Sequence, residues 1–291
     1  MADIKVTGKL IPTPRGPVRI YRLKPPSVNE KAVRSLARLL GMQADAKSGT
    51  LRSDADKLSY SQGLLELTMY RASGGVRFID RARWQVDDRK SDLKIEDAAA
   101  SRLAQNFVKK YKLAPAGETK FLKAARLHVG EATQGGKEAS DRIIDVGVAL
   151  QRIVDKIPVD GPGGKVVVYI DYERRVTGLE RIWRELAGVY RRGESYRTPQ
   201  NALDDMEAHF KAKRGIIEVQ EIRFGYFEDG WHGKQQYLQP AYMIFGMLSS
   251  PDGSIRKRTI YVAPALSNAV GRITPPLETK PAQRARPAAS Y

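Results

Sequence analysis

The sequence has no cysteine among its 291 residues. Disulfides, thiolate metal sites and cysteine nucleophiles are therefore excluded, although the absence says nothing about the compartment in which the protein works. Histidine is also scarce: His128, His209 and His232 are far apart, and none forms the i, i+4 pair of a metallopeptidase helix. We therefore expect neither a metal site nor a cofactor.

Long apolar runs are missing as well. The start, MADIKVTGKLIPTPRGPV, has no continuous apolar region of signal-peptide length, and no later run approaches the ~20 apolar residues that span a bilayer. The expectation is a protein that does not insert into membranes and is cytoplasmic by default. Export would require a leader ahead of the chain as given.

Positive charge is in excess, with 50 Lys and Arg against 33 Asp and Glu and a formal net charge of +17. Such a balance favours acidic partners, whether nucleic acid, anionic lipid or an acidic protein surface. The basic residues are spread among carboxylates, however, and clusters such as RVTGLERIWREL alternate charged with apolar residues as a solvent-facing strand or helix does. An ordinary basic surface is the favoured interpretation, and binding of nucleic acid or another polyanion is the alternative.

Three segments have the pattern of a helix followed by strands. Ser27 to Glu30 predicts a capping box, residues 95 to 112 carry a continuous apolar stripe, and Thr198 with Pro199 predicts a third helix start. Strand-like runs separated by glycine and proline turns follow each helix. The predicted fold is α+β, with an internal repeat of tandem units that each pack one helix on an antiparallel β-meander.

The predicted division of the chain follows these units. The tail prediction rests on TPPLETKPAQRARPAASY, which is too rich in proline, alanine and charge to bury a core. The predicted parts are an N-terminal extension at 1–26, a helix-plus-hairpin unit at 27–90, a central unit at 91–190, a third unit at 191–273, and a disordered tail or linker at 274–291.

The stretch DGPGGK, residues 160–165, looks at first like a phosphate-binding loop. A Walker-type loop needs a glycine where Val159 stands and a hydroxyl residue where Val166 stands, and it leads into a helix. Here the following residues are β-branched. The sequence therefore predicts a hairpin connection between strands at 142–154 and 165–171.

The residues around this turn resemble the PepSY domain. The resemblance is carried by VALQRIVDKIPVDGPGGKVVVYIDYERRVTGLERIW, in which a strand, an Ile-Pro-Val turn, a second strand and Val-x-Gly follow one another. TPQNALDDMEAHF and LQPAYMIFGMLSSPDGSIRKRTIYVAPA are similar to it, so that residues 93–265 are covered. The resemblance implies a non-catalytic module that binds or restrains a protein partner, such as a peptidase or other hydrolase.

The stretch FGYFEDGWHGKQQYLQPAY concentrates aromatic and polar residues around a flexible connection, and exposed Trp and Tyr are favoured anchors of recognition surfaces. The competing interpretation is a hairpin loop whose tryptophan folds back onto the sheet, and it is slightly favoured. The candidate binding residues are Tyr226, Phe227, Glu228, Asp229, Trp231, His232 and Tyr237.

Support for an enzyme is weak. Glu228, Asp229 and His232 could serve as acid-base groups of a hydrolase, but no nucleophile motif stands nearby. The other acidic pairs, Asp87-Asp88 and Asp204-Asp205, have the pattern of solvated charge. No catalytic residue is assigned, and the sequence predicts a protein-binding or regulatory module that uses sheet edges and the Trp231 loop.

Overall fold

The computed structural model describes residues 2–8, 10–44, 49–83, 93–132, 138–193, 195–211, 215–271 and 273. Within them the helices are α1 (Glu30–Leu39), α2 (Asp97–Lys110) and α3 (Pro199–Phe210). The strands are β1 (Ala2–Val6), β2 (Val18–Leu23), β3 (Thr50–Ser53), β4 (Lys57–Gln62), β5 (Leu65–Tyr70), β6 (Val76–Asp80), β7 (Thr119–Ala132), β8 (Glu138–Val154), β9 (Ile157–Asp160), β10 (Lys165–Asp171), β11 (Val176–Ile182), β12 (Leu186–Gly193), β13 (Gly215–Phe227), β14 (Tyr237–Ser249) and β15 (Arg256–Pro264).

These strands form one mixed sheet of 15 strands. The order is β12-β2-β14-β13-β9-β8-β10-β11-β6-β5-β4-β3, with β1 beside β13, β15 beside β14 and β7 beside β8. Most neighbours are antiparallel, which confirms the predicted antiparallel character, whereas β1 and β9 run parallel to β13.

The prediction of tandem units, each with one helix on its own meander, is wrong. The described chain is about 49% strand and only 15% helix. Strands also pair across the predicted unit boundaries, β6 with β11 and β9 with β13. The physical reason is that a separate meander would leave two edges of unpaired N–H and C=O groups, and joining the edges satisfies them.

The helices pack on the sheet over two of the hydrophobic cores of the described residues. α1 and α2 pack on β4, β5, β7, β8 and β10, over a core that includes Val148, Val168 and Trp183. α3 packs on β1, β14 and β15, over a second core that includes Met206, Ile217 and Tyr242. Helix and strand periodicities place these apolar side chains on the facing surfaces, so that burial stabilises both layers.

Local sequence explains where the helices begin. The Thr198 hydroxyl accepts a hydrogen bond from the Asn201 backbone N–H, and the Asn201 side chain accepts one from the Thr198 N–H, so α3 starts as a true capping box. The capping box predicted at Ser27 is wrong. Asn29 is the N-cap of α1 instead, since its side chain accepts from the Ala32 N–H.

The DGPGGK stretch is a hairpin connection, as predicted. β8 and β10 are antiparallel neighbours, and the connection between them contains the short β9. Gly161 has a φ of +102°, and a Cβ there would lie 2.6 Å from the Glu228 carbonyl oxygen. Lys165 donates to the carbonyl of Gly161. The glycines are therefore required for close backbone packing, and the lysine closes its own loop.

The predicted chain division stays a prediction. Both strands of the N-terminal extension belong to the sheet, β1 beside β13 and β2 between β12 and β14. The tail at 274–291 and the Asp87-Asp88 pair lie outside the described residues. Among the described helices, none is long and apolar enough to cross a membrane.

Candidate ligand-binding cleft

The residues predicted to form a binding loop follow β13, and several of them are buried. Tyr226 and Phe227 end the strand, and the Tyr226 hydroxyl donates to the Arg19 carbonyl at 2.9 Å. Burial raises the pKa of the Tyr226 hydroxyl far above its usual value. Glu228 has no exposed surface at all. These three side chains are therefore part of the protein interior, and Phe227 also lines a small pocket.

The rest of the predicted loop folds back onto the sheet. The Trp231 ring centroid lies 4.7 Å from that of Tyr70, and its ring atoms cover Gly75. His232 is exposed and meets the same tyrosine edge-on at 5.4 Å. Tyr237 packs against Tyr190 instead, at 4.8 Å. The loop is thus fixed by ring contacts with two distant strands.

A small pocket of about 220 Å³ gathers three of the predicted residues, Phe227, Asp229 and Tyr237. The Gln235 side chain lines this pocket and bonds to the backbone: it donates to the Phe227 and Tyr237 carbonyls and accepts from the Asp229 N–H. These bonds hold the loop closed, and they engage the polar atoms of Gln235.

Arg184 and Glu228 form a buried ion pair behind this loop. The Arg184 backbone N–H donates to Glu228 Oε1 at 2.8 Å, and its guanidinium lies 3.4 Å from the same oxygen. That guanidinium also donates to the carbonyls of Asp229, Gly230 and Gly233 at 2.7 to 3.0 Å. Burial raises the pKa of Glu228 and lowers that of Arg184, while each charge opposes the shift of the other. The pair anchors the loop from below.

Arg152, near the end of β8, connects this pair to the surface. It is only 2% exposed, and its Nη1 donates to the Arg184 carbonyl at 2.7 Å and lies 3.6 Å from Glu228 Oε2. Its Nε faces Glu118 Oε2 at 3.4 Å without a hydrogen bond. The guanidinium lies over the Trp183 indole. Its charge is thus shared between two carboxylates and a ring.

Arg152 and Trp183 line a cleft of about 830 Å³ between the C-terminal end of α2 and the ends of β8 and β11. We call it the basic cleft. Its lining residues are Gln105, Val108, Lys109, Lys112, Ala114, Pro115, Ala116, Gly117, Glu118, Thr119, Arg152, Arg181, Trp183, Glu185 and Leu186.

Arg181 presents unpaired donors to the basic cleft. Its Nε donates to the Leu113 carbonyl at 2.6 Å, which fixes the guanidinium plane. In the described part of the chain its two Nη groups have no hydrogen bond and no ion pair. Burial lowers the pKa of Arg181, and the Glu228 charge opposes that shift. Since arginine keeps its proton, a rigid and partly desolvated cation remains.

The charges around the basic cleft are unbalanced. Its two carboxylates are already paired, Glu118 with Arg152 and Glu185 with Lys24 at 3.1 Å. Lys109 and Lys112 are exposed on its rim and make no ion pair with any described residue. Among the described lining residues, Lys109, Lys112, Arg152 and Arg181 outnumber Glu118 and Glu185, so the cleft has a net positive charge and attracts anions.

Sequence reasoning missed these residues. RVTGLERIWREL was interpreted as a solvent-facing alternation, yet Trp183 and Arg184 are 4% and 2% exposed. The available signal was the tryptophan between two arginines at the end of an apolar strand. The sequence carries no comparable signal for Arg152, because its neighbours have the ordinary pattern of a strand.

The described residues contain no group of three or more potential metal ligands. His128 lies on β7 and His209 on the last turn of α3, where it packs 5.3 Å from Tyr261. Of the proposed acid-base groups, Glu228 is tied to two arginines in the interior, whereas His232 is exposed beside Tyr70. None of Glu228, Asp229 and His232 lines the basic cleft.

Comparison of the sequence with protein-family models gives no match, and neither does comparison with curated proteins. A similar solved structure is that of an uncharacterized protein from Eubacterium rectale ATCC 33656, determined at 1.45 Å resolution. The TM-score is 0.56 at 13% sequence identity, over 94% of this chain and 91% of that chain. At this identity the similarity shows the fold alone.

Proposed function

We propose that this protein is a non-catalytic binding protein, and that the basic cleft receives an acidic segment of a protein partner. The carrying observation is the Arg181 guanidinium, which is fixed by the Leu113 carbonyl and has no partner for its Nη groups among the described residues. A planar fork of donors held in this way suits a carboxylate, which it can bind through two parallel hydrogen bonds.

The composition of the cleft supports binding over catalysis. Leu186 supplies apolar contact area beside the cations, as recognition surfaces do, and the buried Trp183 forms part of the wall. The two carboxylates of the cleft, Glu118 and Glu185, each lie beside a cation, so neither stands alone as a general acid or base.

The stretch that resembles the PepSY domain supplies Arg152, Arg181 and Trp183 to the walls of the cleft. This placement supports the further proposal that the partner is a peptidase or other hydrolase that the protein restrains. The function that the resemblance implies would then be carried out by the same surface as the proposed peptide binding.

The direct test is binding of an N-terminally labelled acidic peptide, followed by fluorescence anisotropy. We expect Arg181→Gln to weaken binding about 10-fold or more, since a charge-assisted hydrogen bond contributes roughly 1.5–3 kcal/mol. Arg256→Gln is the matched control, because Arg256 lies on β15 outside the cleft lining and its side chain is 64% exposed. Equal affinities for Arg181→Gln and wild type would refute the proposal.

Polyanion binding is separated by a second titration, with a single-stranded oligonucleotide at two salt concentrations. A basic surface that acts through counterion release loses affinity steeply with salt, whichever single arginine is removed. If the oligonucleotide binds more tightly than the peptide, and both arginine variants behave alike, the function is polyanion binding and the protein-partner proposal fails.

A further inference from the structure

The outer edge of β7 leads into the basic cleft. β7 is 14 residues long and pairs with β8, and no other described strand pairs with it. Its first residue, Thr119, lines the cleft. An extended segment that added to this edge would therefore have one of its ends at the cleft.

The edge has the character of a docking strand for another chain. Free edges carry unpaired N–H and C=O groups that can accept an additional strand. Leu122, in a β-bulge, and Leu127 are 39% and 44% exposed along it, which provides apolar contact area for that strand.

The positive charge of β7 favours one kind of strand at its free edge. Lys120 and Lys123 are exposed on β7, and neither has an ion pair with a described residue. Acidic side chains opposite these lysines would be attracted. A second copy of this chain whose β7 paired through the same lysine-bearing end would instead place like charges opposite one another, which is destabilising in a sheet. Charge thus favours an acidic extended segment at this end of the edge.

Direction decides which end of the segment enters the cleft. β7 starts at the cleft and runs away from it, so an antiparallel segment runs toward Thr119 and ends there. A parallel segment would place its N-terminal ammonium beside Arg181, Lys109 and Lys112, and these cations would repel it. Only the antiparallel direction brings a negative terminus to the cations.

We propose that the protein recognises the free C-terminus of an acidic peptide, which adds antiparallel to β7 and places its terminal α-carboxylate against Arg181. This inference rests on the proposed function and defines its ligand: a terminal carboxylate on an extended backbone, in contrast to an acidic surface of any shape.

The test uses the intact protein and one labelled acidic octapeptide in four forms: the parent, its C-terminal amide, and two isomers N-methylated at alternate residues. The amide should bind at least 10-fold more weakly to the wild-type protein. The Arg181→Gln variant should bind the amide and the parent peptide with equal affinity, because this variant lacks the partner of the terminal carboxylate. One N-methylated isomer should bind weakly and the other like the parent, since only alternate N–H groups face β7.

Two results would overturn the inference and leave the proposed function intact, provided that peptide binding still depends on Arg181. In the first, the amide binds as tightly as the parent peptide. In the second, both N-methylated isomers bind as tightly as the parent peptide. Loss of dependence on Arg181 itself would remove the proposed function as well. Thermal unfolding of Arg181→Gln, compared with that of wild type, shows whether the variant is folded.

Discussion

The guanidinium of Arg152 lies over the indole of Trp183, with 4.6 Å between Cζ and the ring centroid. This contact holds the tryptophan in one orientation, since both side chains are almost completely buried. One indole of the protein is therefore a fixed part of the basic cleft, close to the Arg181 cation.

An indole in this position should report on occupation of the cleft. We expect addition of the acidic peptide to change the intrinsic fluorescence, and Trp183→Phe to abolish most of that change. Trp231→Phe is the matched control, because Trp231 packs on Tyr70 and Gly75 outside the cleft lining and its removal should leave the change in place. A full response from Trp183→Phe would show that the peptide binds elsewhere.

Glu228 should be critical for stability. Glu228→Ala leaves Arg184 and Arg152 without their shared carboxylate, and we expect a loss of about 3–5 kcal/mol in the free energy of unfolding. Glu228→Gln should lose less, because its amide oxygen can still accept from the Arg184 N–H. Urea unfolding measures both, with Asp229→Asn as a control that changes little. An alanine variant within 1 kcal/mol of wild type would contradict the structural role.

Asp145 should make stability depend on pH. Its carboxyl is 4% exposed, and burial raises its pKa to about 6, against the opposing hydrogen bond from the Thr177 hydroxyl at 2.7 Å. An unfolded aspartate loses its proton near pH 4. Between about pH 4 and 6 the native state thus binds more protons, and the free energy of unfolding falls as the pH rises, by up to about 3 kcal/mol.

Asp145→Asn should remove that fall, since the amide is neutral throughout. Urea unfolding at pH 4.5 and 7.5 compares the two proteins, and the variant should gain on wild type at the higher pH. If the two proteins lose stability equally between these pH values, Asp145 does not titrate as the structure requires.

The Tyr169 ring explains why glycine occupies two positions on the sheet face opposite the core that α2 covers. A Cβ added at Gly147 or at Gly178 would lie 3.0 or 3.1 Å from its ring, so the ring rests on both backbones. Gly147→Ala should cost about 1–2 kcal/mol through this overpacking. In a Tyr169→Ala background the same substitution should cost nearly nothing, and a double-mutant cycle by urea unfolding measures the difference. An equal cost in both backgrounds would disprove the ring contact as the cause.

Local features could be predicted from the sequence because short-range rules determine them. The stripe of α2 and the cap of α3 at Thr198 depend on residues a few positions apart, and so does the turn at Gly161. The joining of β6 to β11 leaves no such pattern, since it depends on which free edges meet in three dimensions. This is why the sequence pattern predicts a separate meander for each helix, whereas the structure has one sheet.

The buried arginines could not be predicted for a related reason. Charged residues are rarely buried without a partner, so Arg184 was expected to face solvent. Its partner, Glu228, is 44 residues away in the sequence and was itself assigned to an exposed loop. Each residue makes the burial of the other possible, and neither local pattern contains that information.

The four residues of β9 have a mechanical consequence. In the described sheet they alone connect β8 with β13, and the parallel side consists of only two residue pairs, Val159 with Tyr226 and Asp160 with Phe227. Tension across the sheet would therefore concentrate on a few hydrogen bonds and on the Arg184–Glu228 pair beside them. The sheet should part at this joint before either half unravels, and Arg152, whose guanidinium reaches across to Glu228, would then lose its anchor at the back of the cleft.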